Sequence, residues 1–64
     1  MEQTDRNACK HMILKAEDEI KMIKMEILGD DYVSINYLQE KLRALKTSIS
    51  IIDNIVNKEE QKYG

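Results

Sequence analysis

The residues able to do chemistry are few, and their spacing keeps them apart. Cys9 and His11 are the only cysteine and the only histidine of the 64-residue chain. A thiol and an imidazole can share a metal ion or form a nucleophile–base pair, but two positions apart on a helix they point in different directions. No acid stands three or four residues from His11, so the carboxylate–histidine pairing of a helical metal site is missing. Glu17, Asp18 and Glu19 bring three carboxylates together in sequence. On a helix they sit about 100° apart and fan round the axis. They read as a solvated face with Lys15, Lys21 and Lys24 as partners. Asp30 and Asp31 resemble the opening of a calcium loop, but no series of oxygen ligands follows them. Neither a Gly-rich phosphate loop nor a nucleophile elbow is present. The expectation is a protein that is not an enzyme and takes no cofactor, metal or small-molecule substrate.

The scaffold is easier to read. The chain has no Pro, Trp or Phe, and its only glycines are Gly29 and Gly64. Hydrophobic residues make up 42% and charged residues 34%, with Lys, Glu, Ile and Leu prominent, which favours long helices in one domain over residues 1–64. The formal net charge is −2, and neither half is a basic arm, so a nucleic-acid partner is disfavoured. The longest apolar run, Met12-Ile13-Leu14, falls far short of the roughly 20 residues of a membrane span. The acidic, polar start lacks the basic and apolar regions of a secretory signal, and a lone cysteine suits a reducing compartment, so a cytoplasmic location is expected.

Two heptad stripes dominate the pattern. Cys9, Ile13, Ala16, Ile20, Ile23 and Ile27 alternate spacings of four and three, as do Ile35, Leu38, Leu42, Leu45, Ile49, Ile52 and Val56. The spacing predicts helix 1 over about 5–28, started by Thr4 or Asp5 and stopped by Gly29 in a left-handed C′ position. A turn over 29–34 follows, with Asp30, Asp31 or Ser34 as candidate caps for helix 2 over about 35–62. So short a turn makes the helices antiparallel neighbours, with the two stripes facing each other as the hairpin seam.

A second stripe on helix 2 adjoins the first: Tyr37, Ala44, Ser48, Ile51 and Ile55, merging with Val56. A two-helix hairpin covers one stripe per helix, so this flank is expected to bind a partner. Met12, Met22 and Met25 fit either an adaptable interface or gap filling. A hairpin this small is marginal alone, so it is expected to self-associate or to fold on a larger protein.

The segment Gln39-Glu40-Lys41-Leu42-Arg43-Ala44-Leu45-Lys46-Thr47-Ser48-Ile49-Ser50-Ile51-Ile52 resembles helix 2 of the small type III secretion needle co-chaperones, the YscE/PscE/EscE/SsaE-like group. The sharpest likeness is Ala44-Leu45 followed by Ile49, Ile51 and Ile52, with the Gly29-Asp30 turn and the overall length in agreement. The resemblance implies a two-helix hairpin in the bacterial cytoplasm. Its partner would be a helical-repeat co-chaperone of the YscG type, and through it the needle subunit, kept soluble and unpolymerised before export. The flank Tyr37, Ala44, Ser48, Ile51, Ile55 and Val56 would then be the docking face, with Ala44 and Ser48 small enough for close approach. The alternative from the residues themselves is a homodimeric four-helix bundle, a regulatory protein of phage or plasmid type.

Overall fold

A computed structural model describes residues 1–29 and 31–63. The molecule is an all-α hairpin of two helices, α1 (Gln3–Gly29) and α2 (Ile35–Tyr63), packed against each other along their length. It measures 49 × 16 × 13 Å, a rod one helix thick and two helices wide.

The helix ends differ from the sequence expectation in instructive ways. Thr4 and Asp5 lie inside the first turn of α1 rather than capping it, because the Arg6 N–H already donates to the Glu2 carbonyl at 2.9 Å. Gly29 is the last residue of α1 and not a left-handed C′ residue: no described glycine has a positive φ. A Cβ added there meets nothing within 4 Å, so the backbone does not require glycine at this position. At the start of α2 the three candidate caps reduce to Ser34. Its Oγ accepts the Tyr37 N–H at 3.3 Å and its carbonyl accepts the Leu38 N–H at 3.1 Å, the N-cap pattern. Asp31 lies outside α2, and Asp30 lies outside the described residues.

Cross-helix contacts fix the antiparallel register. The Ser34 N–H donates to a Glu26 carboxylate oxygen at 2.8 Å, which ties the start of α2 to the last turn of α1. Farther along, Lys41 Nζ faces Glu19 at 3.9 Å. At the open end Lys58 reaches Asp5 at 3.7 Å, and Lys62 reaches Glu2 at 3.6 Å. The line of α1 that meets α2 is therefore Asp5, Met12, Glu19 and Glu26, and the facing line of α2 is Ser34, Lys41, Ser48 and Ile55. All eight are buried or half-buried.

This corrects the expected seam. Ile13, Ile20, Ile27, Ile35, Leu42, Ile49 and Val56 do not lie between the helices; they are 41–62% exposed. Cys9, Ala16, Ile23, Leu38, Leu45 and Ile52, the other members of the two stripes, are half-buried. Each helix is rotated so that its apolar stripe points to one side of the line joining the two axes. The flanking lines meet instead: Glu19 with Lys41, Glu26 with the Ser34 N–H, and Ser48, whose small side chain fits between the helices.

Candidate interaction face

The rotation gathers both stripes on one face of the hairpin. Successive helix residues turn by about 100°, and an antiparallel neighbour reverses that sense, so a stripe displaced in the same direction on both helices emerges on the same side. The register set by Glu26–Ser34 and Glu19–Lys41 then places Ile27 level with Ile35, Ile20 level with Leu42, and Ile13 level with Ile49. Between these outer lines run Cys9, Ala16 and Ile23 on α1 and Leu38, Leu45 and Ile52 on α2, half-covered. The result is a strip of aliphatic side chains along most of the rod, built almost wholly from Ile and Leu.

What lies between the helices is the inverse. Among the described residues no hydrophobic side chain is fully buried, while Ser48 is 1% exposed and Glu19 is 9% exposed. The Ser48 Oγ has no hydrogen-bond partner among the described residues. Glu19 was expected on a solvated face beside Lys15, Lys21 and Lys24; it is instead enclosed and paired with Lys41. Lys41 Nζ also lies 5.4 Å from the Tyr37 ring centroid, which steadies the ammonium from the next turn of its own helix. Sequence reasoning missed Glu19, Glu26 and Lys41 as structural groups. Their signal is the seven-residue repeat of Asp5, Met12, Glu19 and Glu26 immediately beside the apolar stripe, the position where helices exchange charged contacts with a neighbour.

The residues expected to dock a partner divide. Ser48 is buried against α1, and Tyr37, Ala44 and Ile55 are half-buried on the same side of α2. Ala44 and Ser48 thus serve close approach of the hairpin's own α1. Ile51, at 39% exposed, and Val56 remain open to solvent. Of the three methionines in question, Met12 is half-buried on the α1–α2 line, whereas Met22 and Met25 are exposed beside Tyr37 in a shallow cleft also lined by Asp18, Lys21 and Glu26.

The titratable groups do not converge. Cys9 is a free, half-buried thiol and His11 is exposed. Among the described residues no three His, Cys, Asp or Glu side chains are grouped to hold a metal ion. No described helix is long and apolar enough to cross a membrane. No known protein family, curated protein or solved structure matches the chain.

Proposed function

We propose that this chain works by association and not by catalysis: it presents the isoleucine face to another helical surface. One observation carries the reading. The hairpin encloses a carboxylate and a hydroxyl and leaves seven large aliphatic side chains half-exposed on a single face. Burying an apolar side chain is worth about 1.5–3 kcal/mol, so leaving a whole stripe in water makes physical sense only if something covers it. Alternating spacings of four and three aim a stripe at the axis of a multi-helix bundle as readily as at one neighbour. The hairpin thus has the form of half a bundle.

The test uses the natural cell extract. On a sizing column the chain is expected in an assembly well above its own 7.5 kDa. The variants Ile20→Asp and Leu42→Asp are expected to shift to the size of the free hairpin. Native protein and both variants running together at 7.5 kDa would overturn the reading.

The needle co-chaperone role is one specific form of this function. It is supported by the resemblance of residues 39–52 and by the exposure of Ile51 and Val56. Against it stands the burial of Ser48 against α1, with Ala44 half-buried on the same side, which takes Ser48 out of the docking face the resemblance implies. In this form the chain would act in the bacterial cytoplasm. Co-expression with a YscG-type repeat protein tests it: a soluble 1:1 complex lost in Ile51→Asp and kept in Ser50→Asp supports the role, and failure to form the complex removes it.

A further inference from the structure

The structure points to a second copy of this same chain as the occupant of the isoleucine face, and we propose that two hairpins pack face to face as a four-helix bundle. This rests on the association reading above and names its partner. Three features of the face select a copy of itself.

The first is shape. The face is built level by level from α1 and α2: Ile27 with Ile35, Ile20 with Leu42, Ile13 with Ile49. Two such faces related by a two-fold axis lying between them form stacked layers in which the half-covered Cys9, Ala16, Ile23, Leu38, Leu45 and Ile52 complete the interior. Over the first half of α1 the small Cys9 and Ala16 alternate with Ile13 and Ile20, which leaves room there for opposing side chains to interdigitate.

The second is extent. The whole face of the rod measures 49 × 16 Å, so only a contact along its full length comes near the roughly 800 Å² per partner that a stable specific interface buries, and a second copy has that same length.

The third is charge. The strip is bordered by Lys10, Glu17 and Lys24 on α1 and by Lys46, Asp53 and Glu60 on α2, three cations and three anions, all exposed. A partner of one sign would call for a rim of the other sign. This rim mixes both signs in equal number, as a surface that meets itself requires. With the two-fold parallel to the helices, closed symmetry keeps the register of the hairpin, and Lys10 faces Asp53 of the second copy while Glu17 faces its Lys46. That placement brings unlike charges together at both pairs, as flanking positions of helical bundles do.

Sedimentation equilibrium of the purified chain at micromolar concentration tests the proposal. The expected mass is twice 7.5 kDa. Ile20→Asp and Leu42→Asp are expected to raise the dimer dissociation constant at least about 100-fold, since each buries a charge in an apolar layer. Ser50→Asp, on the outer polar face, is expected to leave it unchanged. Lys46→Glu alters only an exposed rim residue and leaves the hairpin folded. It is expected to weaken the dimer by up to about tenfold at low salt and less at high salt. A monomer throughout the concentration range overturns the second copy as occupant, as does a dimer indifferent to both face variants. If that monomer still enters a face-dependent assembly in cell extract, the association reading stands without the homodimer. A monomer in both experiments overturns both.

Discussion

Replacing Ser48 with alanine is expected to stabilise the protein. Ser48 sits at the centre of the contact between α1 and α2, 1% exposed, and its Oγ has no hydrogen-bond partner among the described residues. A buried, unsatisfied hydroxyl costs about 1–3 kcal/mol of desolvation. Alanine removes that oxygen, fits the same space, and is the better helix former by about half a kcal/mol. The net gain should be about 1–2 kcal/mol, which for a domain of this size raises Tm by roughly 7–15 °C. Thermal unfolding followed by helical circular dichroism measures it, with protein concentration held fixed because association shifts apparent stability. Ser50→Ala is the control: it is exposed on the polar face and gains only the helix propensity. Ser48→Leu should lose about 1–3 kcal/mol by forcing the helices apart. A Ser48→Ala protein no more stable than Ser50→Ala would refute the placement of Ser48 between the helices, and with it the rotation of the two stripes.

Other substitutions probe the remaining joints of the hairpin. Gly29→Ala should stabilise by about 0.4–1 kcal/mol in urea unfolding, because Gly29 has helical backbone and open space at its Cβ; a left-handed C′ glycine would give the opposite sign. Ser34→Ala should cost about 1 kcal/mol by removing the hydroxyl that accepts the Tyr37 N–H, again read from urea midpoints. Lys41→Met should destabilise by about 1–3 kcal/mol, since it leaves the Glu19 carboxylate enclosed without its cation. Adding Glu19→Leu to that variant should restore wild-type stability or exceed it, because well-packed apolar residues replace such pairs at no net cost.

The hairpin itself was legible in the sequence. The absence of proline and the sustained spacing of four and three fix two long helices, and the break after Leu28 fixes where they turn. Ser34 stood among the candidate caps, and only the geometry of its Oγ against the Tyr37 N–H separates it from Asp31. The rotation of the stripes was not legible from the apolar residues, because the period alone fits a two-stranded seam and the interior of a larger bundle equally well. The deciding information sits one line over, in the polar residues. Glu19 and Glu26 repeat at seven beside the α1 stripe, and Lys41 and Ser48 do so beside the α2 stripe. Those lines meet across the hairpin, which displaces Ile20 and Leu42 to its surface and draws Ala44 and Ser48 inward. A tally of apolar residues assigns each stripe its role in the reverse order.

Hydroxyl-radical footprinting of the native protein, read by mass spectrometry at Leu14 and Ile20, tests most directly whether the isoleucine face is covered. The two side chains are equally exposed in the hairpin, at 54% each, and differ only in the face they occupy. Leu14 points away from α2, and Ile20 stands in the middle of the aliphatic strip. Leucine and isoleucine have similar intrinsic reactivity toward the radical, so exposure decides the yield. Ile20 is expected to label at a small fraction of the yield at Leu14 in the assembled protein, and to match it in the Leu42→Asp variant. Equal labelling of Leu14 and Ile20 in the wild-type protein would show the face open to water and would contradict the account.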